Sequence, residues 1–244
     1  MEPTLTQSPR MSVLVTGASR GIGREVARQL ALAGEEVLLG VRSPAKAPVL
    51  ANARPVELDV SNPKSIEACA RRLATEGVKL DVLLNNAGVY EAGRRELWAT
   101  NLMGPILLTR ALNGAGVLTP EARVVNVSSG LGALGSQERA LVQALSSPKL
   151  TIDDLLRMAA EGMAGTRKGG YGATKAALNA FTRLLVASGR RATSIDPGWV
   201  QTDMGGKGAP RTLAQGAASV LFGCRLGPGA EDGGFWRDGQ RLPW

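Results

Sequence analysis

Tyr171 and Lys175 lie four residues apart in the segment Gly-Gly-Tyr-Gly-Ala-Thr-Lys-Ala-Ala-Leu-Asn-Ala-Phe. In a helix that spacing puts the phenol and the ammonium on one face. A cation beside a phenol favours the phenolate. The pair therefore describes a tyrosine tuned to exchange protons nearer neutral pH than its free value of about 10. A second feature stands near the start of the chain. Thr16-Gly17-Ala18-Ser19-Arg20-Gly21-Ile22-Gly23 joins a short apolar run to a helical pattern. Its glycines allow a tight turn and let the backbone approach a pyrophosphate at a helix N-terminus. The spacing is Gly-x-x-x-Gly-x-Gly, not the common Gly-x-Gly-x-x-Gly of dinucleotide binders. With an ordered set of polar residues between them, the two features point to nicotinamide-dependent redox chemistry.

These residues need a scaffold that brings the start of the chain to its last third. Ser12–Thr16 reads as a strand ending at Gly17, followed by helical spacing from about Ile22 to Leu32. Glu36–Val41 is a second strand and Arg54–Leu58 a weaker third. Pro63 opens a helix through Glu76, since proline suits a first helical turn. Asp81–Leu84 reads as a fourth strand, Glu96–Leu112 as a long helix and Arg123–Val127 as a fifth strand. Tyr171–Ala187 is a further helix and Arg191–Ile195 a sixth strand. Apolar strands alternating with amphipathic helices predict an α/β fold, a Rossmann-type doubly wound parallel sheet covered on both faces. There is no internal repeat and no dividing linker, so one domain is expected.

The chain has 244 residues, 44% of them hydrophobic, enough for one well-buried core. No apolar run approaches the length needed to span a bilayer. The first ten residues lack the apolar stretch of a secretory signal and read as a polar tail, with Met11 an alternative start. Two cysteines, Cys69 and Cys224, make a reducing cytoplasm the default. The chain has no histidine, which removes Ser-His-Asp hydrolysis, His-ligated zinc and a His-based dehydrogenase mechanism. A balance of 29 basic and 21 acidic residues leaves +8. The basic residues are scattered and aromatics few, so no nucleic-acid stripe is present and no nucleic-acid or membrane partner is expected. The charge suits a protein that attracts anionic ligands.

The glycine turn, Asn85-Asn86-Ala87-Gly88 after the fourth strand, Ser128 after the fifth, and Tyr171-x-x-x-Lys175 together resemble the short-chain dehydrogenase/reductase family. Asp59-Val60, Asn101 and Pro197-Gly198-Trp199-Val200-x-Thr202 match as well. The motifs stand in family order from about Ser12 to Met204. The resemblance implies Tyr171 as the general acid of carbonyl reduction, giving its proton to the oxygen as hydride reaches the carbon. It implies that Lys175 lowers the tyrosine pKa and bonds the nicotinamide ribose. Ser128 would hold the substrate oxygen, and Asn101 would order a proton-relay water. Gly17, Ser19, Arg20, Gly21, Ile22 and Gly23 would take the cofactor phosphates. Asp59 and Val60 would flank the adenine, and Asn85, Ala87 and Gly88 would line the cofactor cleft. Pro197, Gly198, Val200 and Thr202 would complete it. No metal is expected.

Cofactor choice follows from charge. An NAD enzyme usually has an acid at the end of the second strand for the ribose hydroxyls. Here that strand ends Leu39-Gly40-Val41-Arg42. Arg42, with Arg20, could embrace a 2′-phosphate, which favours NADPH; the alternative is two surface arginines. Ser128 and Tyr171 are separated by far more residues than in the common family form. The added stretch, within about 131–169, holds the helix-like segments Gln137–Leu145 and Ile152–Met163, the latter after a capping-box outline at Thr151 and Asp154. This insertion and the Gly234-Phe235-Trp236-Arg237-Asp238-Gly239 ending resemble the carbonyl reductase subgroup, in which the extra helices imply a monomer; a dimer is the alternative.

The expectation is an NADPH-dependent carbonyl reductase acting on a small aldehyde, ketone or quinone. The alternative is a dinucleotide-sensing or interaction protein on the same fold. By analogy of position, Tyr90, Trp199, Met204 and residues near Leu131 line a largely apolar substrate pocket, which discriminates weakly among carbonyl compounds.

Overall fold

The computed structural model describes residues 10–165, 170–227 and 232–244. Of the expected polar tail only Arg10 is described, and residues 166–169 of the expected insertion lie outside the described residues. The chain begins with β1 (Ser12–Thr16), α1 (Gly21–Leu32), β2 (Glu36–Val41), β3 (Ala53–Glu57), α2 (Pro63–Thr75) and β4 (Leu80–Asn85). Next come α3 (Arg94–Trp98), a π-helical turn (Ala99–Met103), α4 (Gly104–Gly114) and β5 (Leu118–Val127). The insertion helices α5 (Arg139–Leu145) and α6 (Ile152–Met163) precede α7 (Tyr171–Ala187) and β6 (Arg191–Ile195). The chain closes with α8 (Leu213–Arg225), β7 (Phe235–Arg237) and β8 (Gln240–Leu242).

The strands form one sheet in the order β3-β2-β1-β4-β5-β6-β7-β8. Strands β1 to β7 run parallel, and β8 turns back antiparallel on β7. Successive side chains of a strand face opposite layers. Leu14 thus joins the core under α2, α4 and α7, whereas Val13 and Val15 join the core under α1 and α8. The strand order reverses between β1 and β4, so the ends of these strands diverge and leave a crevice there.

Local signals set most boundaries. Asn62 caps α2 by accepting the Lys64 N–H at 3.0 Å, and Pro63 takes the first helical position. Thr151 and Asp154 form the expected capping box of α6. The helix expected over Glu96–Leu112 is instead interrupted at the π-helical turn. Pro105 has no N–H to return to the Asn101 carbonyl, so an unbroken α pattern cannot pass through. Two elements were not anticipated: β7 and the antiparallel edge strand β8. No helix among the described residues is long and apolar enough to cross a membrane.

The tightest packing of the insertion on the main body is at Gly162. A Cβ on Gly162 would lie 2.3 Å from the Trp98 ring, so hydrogen alone at 162 lets α6 seat on that fully buried indole. Gly162→Ala is expected to lower unfolding free energy by about 1–3 kcal/mol through overpacking. Urea denaturation measures this, and an unchanged midpoint would contradict the anchoring.

Candidate active site

A cleft of about 910 Å³ opens at the carboxyl ends of the strands, around the point where their order reverses. Gly17, Ser19, Arg20, Gly21, Ile22 and Gly23 of the first turn border it, with Arg42 after β2 and Asp59 and Val60 after β3. Ala87 and Gly88 after β4, Tyr171 and Lys175 on α7, and Pro197, Gly198, Val200 and Thr202 after β6 close it. Gly17 sits at φ +67°, and a Cβ there would come 2.9 Å from the Ala87 Cα, so the turn can press against the end of β4 only as glycine. Arg20, the N-cap residue of α1, makes no side-chain capping bond, and the first turn contains no acid. The leading amides of α1 thus face the cleft as an anion-binding end. Those features fit a dinucleotide phosphate.

Two sequence expectations shift by one residue. Asn85 does not border the cleft: it is buried, and its Nδ2 donates to Asn126 Oδ1 at 2.9 Å. Asn86 takes its place, donating Nδ2 to the Thr16 carbonyl at 2.8 Å. Ser128 touches the cleft, but its hydroxyl is buried and turned toward the Lys175 carbonyl at 3.5 Å. The hydroxyl that bonds the Tyr171 phenol belongs to Ser129. Both corrections have one cause, the alternation of side chains at a strand end, where neighbours point to opposite faces.

Asn101 does not line the cleft directly. It is fully buried behind the cleft wall. Its Oδ1 accepts the Val89 N–H at 2.9 Å, and its Nδ2 donates to the Val89 carbonyl at 2.9 Å and to Thr174 Oγ1 at 3.1 Å. Thr174 Oγ1 in turn donates to the Tyr171 carbonyl at 2.7 Å. Asn101 therefore ties the segment after β4 to the first turn of α7. One result is that the Tyr90 and Tyr171 rings meet edge to face, 4.9 Å between centroids.

Lys175 Nζ lies 5.6 Å from the Tyr171 ring centroid and donates to the Val127 carbonyl at 2.7 Å. Burial brings its pKa down to about 8, partly offset by the Asp196 carboxylate. The Tyr171 phenol moves opposite to the sequence expectation, up to about 12. Burial is the main cause and the Ser129 hydrogen bond opposes it, while the Asp196 and Tyr90 charges add to the rise. Desolvation of the phenolate sets the direction of the shift. At neutral pH the phenol thus holds its proton, the state a general acid needs.

The short chain dehydrogenase family model matches residues 11–167. This chain is a short-chain dehydrogenase/reductase. It is carbonyl reductase-like: carbonyl reductase [NADPH] 1 of Mus musculus is 31% identical over 97% of this chain and 99% of that protein. Salutaridine reductase from Papaver somniferum superposes with a TM-score of 0.77 at 25% identity, covering 94% of this chain and 100% of that one. A protein from Burkholderia multivorans solved with bound NADP shares the fold at a TM-score of 0.73 and 24% identity, covering 97% and 100%.

In this short-chain dehydrogenase/reductase the end of the cleft near Tyr171 carries exposed apolar side chains. Tyr90, Leu131, Trp199 and Met204 all border it and are between 42% and 60% exposed, in a protein whose other large apolar side chains are mostly buried. At the opposite end Arg42 is exposed and forms no ion pair among the described residues, whereas Arg20 meets Asp203 at 2.9 Å. Both partners of that pair are 74% exposed, so it contributes little and is readily given up. Cys69 and Cys224 are buried free thiols, pushed up to about 11 and about 12 by burial, which makes neither a nucleophile. No group that could hold a metal ion occurs among the described residues.

Proposed function

We propose that the enzyme uses NADPH to reduce an aldehyde, ketone or quinone carbonyl to an alcohol. The observation that carries this reading is Tyr171, bonded by Ser129 and backed by Lys175, beside an apolar wall in a cleft whose far end is cationic. NADPH supplies the hydride when bound. The leading amides of α1 hold its pyrophosphate, and Arg42 its 2′-phosphate. Asp59 and Val60 flank the adenine. Lys175 bonds the ribose, and Pro197, Gly198, Val200 and Thr202 line the nicotinamide end.

Ser129 orients the carbonyl oxygen, and Tyr171 gives that oxygen its phenolic proton. Lys175, as ammonium, stabilises the phenolate left behind. With its side chain committed to Val89 and Thr174, Asn101 acts on a relay water through its main-chain carbonyl, the one that loses its α-helical partner to Pro105. The same proposal takes the protein as a cytoplasmic monomer, since its two cysteines are unpaired and α6 covers the outer side of α3.

Purified protein assayed with NADPH and NADH against quinones, aromatic aldehydes and ketones tests the reading. Turnover should favour NADPH. Its kcat/KM for NADPH, which reports the cofactor-free enzyme, should fall above about pH 8, because the Lys175 charge is present below that pKa and lost above it. Tight NADPH binding with no carbonyl reduced would overturn the proposal.

A further inference from the structure

The cleft contains a buried charge that the proton transfer above leaves unused. Asp196, just past β6, is 1% exposed. Its Oδ1 accepts the Gly198 N–H at 2.7 Å. Its Oδ2 accepts Arg237 Nε at 3.1 Å and a second bond from a terminal nitrogen of the same guanidinium. Arg237 ends β7, the neighbour of β6 on the side away from β5. On the β5 side, Ser128 N donates to the Ile195 carbonyl at 2.7 Å, so the Ser128–Ser129 segment leaves the sheet beside Asp196. A Cβ on Gly130 would lie 3.1 Å from Asp196 Oδ2, so the residue after Ser129 is in close contact with the carboxylate. Lys175 Nζ is bonded to the carbonyl of Val127, the register partner of Ile195. Carboxylate, ammonium and phenol therefore gather at the ends of β5 and β6, and the guanidinium sits one strand farther out.

Burying a carboxylate costs solvation, and a half-exposed guanidinium partner does little to make the pair a source of fold stability. This pair stands beside the reacting groups and asks for another role. We propose that Asp196, held in place by Arg237, is a positioning residue whose anion keeps Lys175 an ammonium and Tyr171 a neutral phenol, the form that gives a proton to a carbonyl oxygen. The reason for that preference rests on the carbonyl-reduction reading. An anion favours the proton on both groups, stabilising the lysine cation and opposing the phenolate. Its charge offsets burial at Lys175 and adds to burial at Tyr171. The other charged or titratable groups around these residues are Tyr90 after β4, Arg237 on β7, and Arg211 with its partner Asp238 beyond Asp196. Glu91 and Glu96 stand on the cleft rim. Of the carboxylates, Asp196 is the one whose charge acts on both Tyr171 and Lys175.

The chain has only two tyrosines, Tyr90 and Tyr171, so in a Tyr90→Phe background phenolate absorbance reads Tyr171 alone, with no substrate or cofactor. Adding Asp196→Asn keeps an acceptor for the Gly198 N–H and removes the charge. The Tyr171 midpoint should fall by about one pH unit. In turnover assays, Asp196→Asn alone should move the alkaline loss of reduction down by about one pH unit. If that variant, with Arg237 left unpaired, fails to fold, Asp196→Asn/Arg237→Met removes both charges and carries the same expectations. An unchanged midpoint in folded protein overturns the proposal, whatever the substrate. A lowered midpoint in a protein that reduces no carbonyl upholds the role of Asp196 and defeats only the carbonyl-reduction reading.

Discussion

Tyr171→Phe is expected to lower kcat for carbonyl reduction by about 10²–10⁴-fold, the usual effect of losing a positioned proton donor. The substitution is selective because the ring remains. Phenylalanine keeps the edge-to-face contact with Tyr90 and the buried environment, and removes the one hydroxyl that Ser129 bonds. Binding of NADPH, followed by its fluorescence on titration, should be nearly unchanged, because the phosphate and adenine contacts lie at the other end of the cleft. Single-turnover measurement separates the two quantities. A variant that binds NADPH normally and still reduces carbonyls at the wild-type rate would remove Tyr171 from proton transfer. Water entering in place of the hydroxyl cannot mimic this result, since it would not be held against the carbonyl oxygen by the protein.

Arg42→Asp is expected to weaken NADPH by about 10–100-fold, as loss of charge-assisted bonds to a phosphate predicts. Repulsion between the new carboxylate and the 2′-phosphate adds to that loss. NADH should bind as well as before or better, because an acid at the end of β2 is the usual partner of the ribose hydroxyls. The side chain is exposed and free of ion pairs among the described residues, so the change should leave the fold intact. The ratio of kcat/KM for the two cofactors is the measurement. Equal losses with NADPH and NADH would show that Arg42 does not read the 2′-phosphate. Arg20 would then be the remaining candidate, released from Asp203 when an anion enters.

Much of this site was legible in the chain because its signals are local. The i,i+4 spacing of Tyr171 and Lys175 belongs to a helix with the expected bounds Tyr171–Ala187, and the glycine turn stands between β1 and α1 as its composition required. Proline at 63 and the capping pair at Thr151 and Asp154 likewise act within a few residues of themselves. Side-chain direction at a strand end is different. It depends on register against neighbouring strands, and a shift of one residue turns a side chain to the other face. That is why Asn86 and Ser129 replaced Asn85 and Ser128. The strands of the closing hairpin are only three residues long each, too short for a periodic signal. The sign of the Tyr171 shift depended on burial, a property of packing that no spacing encodes. Asp196 and Arg237 are 41 residues apart and meet only because β6 and β7 pair. Residue types and near-neighbour spacing thus determined the chemistry available to this chain. Which of two adjacent side chains faces the cleft, and which proton each group holds, was decided by strand pairing and desolvation, both sums over residues distant in sequence.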